Sequence, residues 1–310
     1  MGLKSFKFGL PGWKTILRIS LALGYALVAY YIYDMSGFKN YYNKGIDAKY
    51  AAQKIGYYTT AIEKWNPKKN KIKQKAWAYV NRGNAYQVLK DYDIAIEDYD
   101  TALEIYPKYA NAYFCRGNAF LKLKDYDSAI ESYSRAIEIS PKLAKAYYGR
   151  AYAYRRKHNY EKAMEDSNTA LKISPKYAEA FNMRGLIYAE KGEYDASIND
   201  FNSAMEFNKK PARYYGNAAN VYFDKGDYVR AEMFYRRSLK KYSGFWESYI
   251  GLALIEYAKG DAARSKEYYI TARTMRKTLR KDMSEFELME GEFERPFKKA
   301  AKKLAKEFGE

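Results

Sequence analysis

The sequence predicts an all-α solenoid, because one 34-residue pattern recurs six times without an insertion between Ala76 and Leu279. Block positions 8, 20 and 27 hold Gly, Ala or Ser in every block. Positions 4, 11 and 24 hold aromatic residues, with Glu256 and Ser167 as the exceptions. This pattern is typical of two antiparallel helices that approach closely through small side chains while rings fill the spaces beside them.

Prolines predict where the second helix of a block ends. They stand at position 32 of the first three blocks, at Pro107, Pro141 and Pro175. In the last three blocks this position is taken by Lys209, Ser243 and Lys277. We therefore expect weaker helix stops in the second half of the repeat region.

These landmarks resemble the tetratricopeptide repeat (TPR) family, and the resemblance covers 204 of the 310 residues. It implies a right-handed superhelix of helical hairpins that acts by binding proteins. Residues 42–75 resemble a degenerate first repeat in the same register. In that register Tyr58, Ala61 and Trp65 stand where Tyr92, Ala95 and Tyr99 stand one block later.

The basic charge of the chain is concentrated at its N-terminal end. The net charge is +18, and residues 1–75 carry 14 Lys and Arg against 3 acidic residues. Residues 76–245 carry 27 against 22. Because the repeats themselves are only weakly basic, nucleic acid is not expected as a partner.

The N-terminal segment favours a membrane anchor. Residues 1–14 are basic, and residues 15–33 contain an uncharged run from Ile19 to Tyr33. Trp13 to Tyr31 makes about 27 Å of helix, close to the hydrocarbon thickness of a bilayer. The residues expected at the two membrane interfaces are Trp13, Lys14, Arg18, Tyr30, Tyr31 and Tyr33. A cleaved signal peptide and a buried solenoid helix are the alternatives.

Residues 34–75 are predicted to be a basic juxtamembrane linker with the degenerate repeat. The lysines from Lys64 to Lys75 favour either a solvated helix end or contact with anionic lipid. We expect a single-pass protein that is anchored by its N-terminal segment in a mitochondrial or bacterial inner membrane.

Residues 280–310 are predicted to cap the solenoid. One-sided helical spacing relates Phe297, Ala300, Ala301, Leu304 and Phe308. Terminal solenoid units need a polar outer face, which a capping helix supplies.

The chain lacks a recognisable catalytic or metal-binding constellation. It has one Cys and one His, so any pair would have to join Cys115, on a first helix, with His158, at a turn. Neither metal-ligand nor phosphate-loop spacing occurs. The expectation is a protein that is not an enzyme and has no cofactor or metal.

The resemblance places the partner-binding groove on the first helices, at block positions 2, 5, 9, 12 and 13. The candidate residues are Trp77, Asn84, Phe114, Asn118, Lys145, Tyr148, Tyr152, Arg155, Arg156, Asn182, Arg213 and Asn220. Amides there could hold the backbone of an extended peptide and rings its side chains. The alternative is that these amides only solvate the groove.

An arginine also recurs at position 7 of the first four blocks, at Arg82, Arg116, Arg150 and Arg184. We expect these arginines to pair with a recurring acid at position 16 or 23 of the same block. A column of arginines that binds an anionic partner is the alternative.

Two functions fit this sequence. The chain is predicted to be a membrane-anchored scaffold, as an accessory or assembly subunit of a larger membrane complex that contacts neighbouring subunits. Alternatively it is a receptor for extended peptides, similar to the anchored TPR import receptors of mitochondria. A basic nucleic-acid-binding repeat protein is the rival from another class.

Overall fold

The computed structural model describes residues 37–68, 70–279, 304 and 306–308. Within these residues the chain forms fourteen α-helices and no strand, which confirms the predicted all-helical repeat fold. Contacts divide the chain between Pro107 and Lys108 into two compact units. The predicted membrane segment at residues 15–33 lies outside the described residues.

Unit one contains two helical hairpins in which each helix packs on the next. Its helices are α1 (Phe38–Asp47), α2 (Ala51–Glu63), α3 (Ile72–Leu89) and α4 (Tyr92–Ile105).

The predicted register of the first hairpin is wrong. A Cβ on Gly45 would lie 2.5 Å from the Tyr58 ring, just as one on Gly83 would lie 2.8 Å from the Tyr99 ring. Tyr58 therefore takes the place of Tyr99, at position 24, and not that of Tyr92, at position 17. The physical reason is that α1 has only 10 residues, so α2 begins early, at Ala51.

Unit two contains five consecutive hairpins, and its first helices begin at the first residue of each block. Its helices are α5 (Ala110–Lys122), α6 (Tyr126–Ile139), α7 (Ala144–Arg156), α8 (Tyr160–Ile173), α9 (Ala178–Glu190), α10 (Tyr194–Phe207), α11 (Ala212–Asp224), α12 (Tyr228–Lys241), α13 (Trp246–Ala258) and α14 (Ala262–Leu279). Each second helix packs on the first helix of its own block, and each one before α14 also packs on the first helix of the next block.

The repeated small residues bring the helices together as predicted. Ala129 and Ala136, at positions 20 and 27, are fully buried. The Tyr133 ring is also fully buried and lies where a Cβ on Gly117 or Gly149 would come within 2.7 Å or 2.5 Å of it. Glycine is therefore required here by close packing.

Every hairpin from α3–α4 to α13–α14 turns through a left-handed residue at position 15. In the first three repeats this residue is Lys90, Lys124 or His158, with φ between 58° and 68°. In the last three it is Gly192, Gly226 or Gly260. The next residue starts the second helix, and its side chain caps that helix in four of the six repeats, as when the carboxylate of Asp125 accepts from the Ser128 N–H at 3.1 Å.

Loss of the proline does not move the helix ends inside the repeat array. The second helices α10 and α12 end at Phe207 and Lys241, the same block position at which α4, α6 and α8 end. Only the last one, α14, runs four residues further, to Leu279. The position at which these helices end therefore does not depend on a proline at position 32.

The few described residues near the C-terminus lie against the last hairpin. Leu304 is buried in the core formed by α9 to α14. The Phe308 ring centroid lies 5.9 Å from that of Tyr269, and the Tyr257 hydroxyl donates to the Glu307 carboxylate at 2.5 Å. The capping helix over residues 280–310 stays a prediction, because most of it is outside the described residues.

Candidate partner-binding surface

The arginine ladder is an internal structural element. Arg82 donates two hydrogen bonds to Asp98, at 2.9 and 2.7 Å, which confirms the predicted pairing with position 23. Arg150 and Arg184 bind Asp166 and Asp200 in the same two-pronged way. Arg116 meets Ser132 at this position and donates to its hydroxyl at 3.1 Å. Arg82, Arg150 and Arg184 also donate to a side chain of the preceding hairpin, so these guanidinium groups are held inside the repeat array.

Burial and pairing with arginine act in opposite directions on the pKa of the aspartate carboxyl groups. Burial raises the pKa of the Asp98 carboxyl above its ordinary value, even though Arg82 opposes that shift. The hydrogen bonds from Arg82 to Asp98 raise the pKa of the Arg82 guanidinium. Asp166 and Arg150 behave alike. Each arginine thus compensates a carboxylate whose desolvation is unfavourable.

The asparagines at position 9 are also used inside the repeats. The side-chain oxygens of Asn84, Asn118 and Asn220 each accept a hydrogen bond from the position-24 tyrosine of the same hairpin, at 2.6 to 2.8 Å. These amides therefore have a structural role inside the hairpins, and their role in holding a peptide stays a prediction. They satisfy the hydroxyls of tyrosines whose rings fill the hairpin core.

Four of the predicted groove residues are buried: Tyr152, Arg155, Asn182 and Asn220. The Arg155 guanidinium donates to the Glu190 carboxylate at 2.7 Å, and Asn217 donates to the Asn182 side-chain oxygen at 2.7 Å. Both pairs join residues 35 apart, one block plus one position. Sequence analysis missed these pairs because neither recurs from block to block, and the spacing was their only signal.

What remains accessible in unit two forms a smaller set, which we call the first-helix surface: Phe114, Lys145, Tyr148, Arg156 and Arg213. Lys145 is exposed and the other four are half-buried. Tyr148 packs on Tyr177 with ring centroids 5.5 Å apart, and the Arg156 guanidinium lies 5.4 Å from the centre of the Tyr126 ring. Aromatic side chains and positive charge are thus both accessible on the first helices of unit two.

Unit one has one accessible candidate of its own. The Trp77 side chain, near the start of α3, is 38% exposed. Asn84, the other candidate in this unit, is held by the Tyr99 hydroxyl.

The two residues that sequence analysis weighed for chemistry lie in structural positions. Burial raises the pKa of the Cys115 thiol to about 12, so this cysteine is a poor nucleophile. His158 is exposed at its turn and shares a 2.9 Å hydrogen bond with the Tyr160 hydroxyl. Within the part of the chain that the structure describes, His, Cys, Asp and Glu form no group that could hold a metal.

Lysines of the basic linker lie over aromatic rings of unit one. Lys64, Lys73 and Lys75 lie 5.9, 4.6 and 5.0 Å from the ring centres of Tyr41, Tyr106 and Trp65. Contact of these lysines with anionic lipid stays a prediction. Among the described helices, none is long and apolar enough to cross a membrane.

Family models of one repeat type match the chain without a gap. Models described as TPR repeat match residues 117–158 and 152–192. Models described as Tetratricopeptide repeat match residues 76–109, 98–131, 178–211 and 212–240. Together they span residues 76–240, more than half of the 310-residue chain. No curated protein matches the sequence.

Solved structures share the fold at low sequence identity. A tetratricopeptide repeat protein from Parabacteroides merdae is 18% identical over 86% of this chain and 98% of its own, with a TM-score of 0.66. Pseudomonas aeruginosa pilF is 18% identical over 71% and 98%, with a TM-score of 0.57. A thermophilic TPR protein of Thermus thermophilus is 22% identical over 58% and 98%, with a TM-score of 0.50. These similarities establish the fold alone.

Proposed function

Residues 76–240 of this chain are tetratricopeptide repeats, and we propose from this premise that the protein is a membrane-anchored scaffold. Its role is that of an accessory or assembly subunit in a larger membrane complex. TPR proteins bind protein partners or peptides. The observation that carries the proposal is the first-helix surface, where rings and positive charge stay accessible while the other candidate groups serve the hairpins.

The membrane part of the proposal rests on the sequence. Residues 15–33 hold an uncharged run flanked by Trp13 and Arg18 on one side and by three tyrosines on the other. An inner membrane of mitochondria or of a bacterium is the proposed location. Resistance of the full-length chain to carbonate extraction tests it, and a mature N-terminus found after residue 26 would contradict it.

A receptor for extended peptides is the second candidate. It is favoured by the aromatic residues among the accessible candidates, namely Trp77, Phe114 and Tyr148, which suit the side chains of a peptide. A subunit would stay bound to its complex at high salt and in fixed stoichiometry. A receptor would release its ligand as salt screens the charge of Lys145 and Arg156.

The test compares partners recovered by the full-length chain from mild detergent. We expect a Lys145→Glu/Arg156→Glu variant to lose the partners that the unchanged chain retains, as measured by quantitative mass spectrometry. Lys172→Glu is the matched control, because Lys172 is exposed on the second helix α8. If the double variant keeps every partner, the first-helix surface is not the binding site.

A further inference from the structure

The outward face of α12 differs from that of the other second helices in unit two. At the block positions where second helices are exposed, α12 carries Val229, Arg230, Met233, Arg236, Arg237 and Lys240. We call these six residues the α12 outer face. The Val229 side chain is 83% exposed and that of Met233 is 39% exposed. Val229 and Met233 are four residues apart on one helix, so their exposed side chains are neighbours, and contiguous exposed apolar side chains mark interaction sites.

Repeat packing does not demand this composition. The same six positions carry a net charge of −4 in α4, −2 in α6, zero in α8 and −2 in α10, whereas in α12 they carry +4. All six residues are exposed, so core packing places no constraint on their charge. The reversal of charge in the fifth repeat therefore points to a role outside the hairpin.

Part of the positive charge is compensated locally and part is not. Arg230 pairs with Asp227 at 2.5 Å, and Arg236 pairs with Glu232, which also binds Lys259. Arg237 lies over the Phe234 ring, 5.4 Å from its centre. Among the residues that the structure describes, neither Arg237 nor Lys240 forms an ion pair. These two cations are available to a partner.

We propose that the α12 outer face binds an acidic amphipathic helix of a partner protein. Val229 to Lys240 spans about 17 Å, or three helical turns, at 1.5 Å per residue. The apolar end at Val229 and Met233 takes the partner's apolar side chains, and the basic end takes its carboxylates. An anionic lipid or a phosphate would use the basic end and leave Val229 in water. This surface lies on a second helix, apart from the first-helix surface on which the proposed function rests.

The chain itself supplies a suitable probe. A synthetic peptide of residues 91–106 is an acidic amphipathic sequence that carries six carboxylates and no cation. Its control is the same peptide with every Asp and Glu changed to Asn and Gln. Binding of the labelled peptides to the purified full-length chain is followed by fluorescence anisotropy. Isolated helices of this length are marginal, so affinities in the micromolar to millimolar range are expected.

Two variants test the two ends of the surface. We expect Arg237→Glu/Lys240→Glu to weaken binding of the acidic peptide by at least about tenfold and to remove its salt dependence. Val229→Ser/Met233→Ser should weaken it without changing the salt dependence. The matched control is Lys162→Glu/Lys172→Glu, which makes the same charge change on the outward face of α8 and should bind as the unchanged chain does.

Several outcomes would overturn the proposal. It fails if the acidic peptide binds no better than the neutral one, or if both α12 variants bind it normally. If dihexanoylphosphatidylserine binds the unchanged chain but not Arg237→Glu/Lys240→Glu, while that variant binds the acidic peptide normally, the face is a lipid site. Peptide binding that appears only after the six acids of residues 282–294 are changed to amides would identify that segment of the chain as the occupant. These experiments do not involve partner binding at the first-helix surface. Failure of the proposed function would therefore leave their results unchanged.

Discussion

The first four repeats and the last two solve one packing problem with different chemistry. In the first four, an arginine at position 7 lies 5.3 to 5.7 Å from the centre of the position-4 ring. In three of these repeats it also binds a buried aspartate at position 23. In the last two, position 7 is Ala218 or Leu252, and position 23 is Phe234 or Tyr268.

In the last two repeats an aromatic contact replaces the ion pair. The ring centroids of Tyr215 and Phe234 are 5.9 Å apart, and those of Tyr249 and Tyr268 are 6.3 Å apart. The position-4 ring is thus covered by a cation in one group of repeats and by a second ring in the other. Either arrangement fills the site, but only the first requires two charges to be desolvated together.

This difference indicates that the two members of a buried ion pair depend on each other, while the pair as a whole adds little to the stability of the fold. Replacing both members of a buried ion pair by apolar residues is often neutral or favourable, whereas removing one member leaves a charge uncompensated. Because burial raises the pKa of Asp98 in the folded chain, its contribution to stability falls as the pH rises through its titration. The arginine and the aspartate therefore occur together. In the last two repeats both are replaced, by an apolar residue at position 7 and an aromatic residue at position 23.

Removing one partner should give the largest effect. Arg184→Leu leaves the buried Asp200 carboxylate without its bidentate donor, and we expect a loss of about 3 to 5 kcal/mol of local stability. Native-state hydrogen exchange of α9 and α10 measures it. Arg135→Leu is the control, since Arg135 is exposed on α6 and forms its ion pair with the exposed Glu138. Equal protection in both variants would show that the pair carries no stability.

The turns give a second contrast between repeats. Gly226 has φ of 79°, and an added Cβ there would meet no atom within 4 Å, so Gly226→Ala introduces backbone strain without a steric clash. We expect a loss of about 1 to 2 kcal/mol. Hydrogen exchange at the amides of α11 and α12 measures the loss. Ala262→Gly, at the start of α14, is the control for the effect of glycine flexibility on exchange.

The reverse change should have a smaller effect of opposite sign. Lys124 holds φ of 63°, so Lys124→Gly relieves strain in the folded chain but adds freedom to the unfolded one. The net gain should lie between zero and about 1 kcal/mol, read as slower exchange in α5 and α6. Faster exchange after this substitution would mean that the lysine side chain, and not its backbone, stabilises the turn.

The sequence predicted the hairpins well because they depend on residues that recur. The small residues at positions 8, 20 and 27 fix where helices approach, so the helices of unit two begin where the pattern says. The sequence predicts the binding surface less well, because the exposure of a side chain depends on which side chains of the next repeat cover it. Arg155 was assigned to the groove by its position, yet Glu190 covers it from the following repeat. That partner occurs once, so periodicity carries no information about it.

The first hairpin shows the same limit. Its spacing to the next repeat is not 34 residues, and no second copy exists against which the shift could be read. Tyr58 was therefore aligned with the wrong aromatic position. Only the contact with Gly45 reveals its role.

The most extensive substitution should also have only a small effect. Arg184→Leu/Asp200→Tyr gives the fourth repeat the two residues of the sixth, so the new ring can pack on Phe181 as Tyr268 packs on Tyr249. Both charges leave together, and the exposed Asn168, which accepts from Arg184 at 2.8 Å, regains water. We expect stability within about 1.5 kcal/mol of the unchanged chain, although Arg184→Leu alone costs several.

The difference in stability between Arg184→Leu and Arg184→Leu/Asp200→Tyr tests whether the two groups of repeats are equivalent. Exchange in α9 and α10 should be restored in the double variant. With Asp200→Tyr measured as the second single variant, the cycle should give a coupling of about 2 kcal/mol or more between the two positions. An additive loss would mean that the aspartate and arginine contribute separately. The two groups of repeats would then differ in stability, and not only in the chemistry that fills one site.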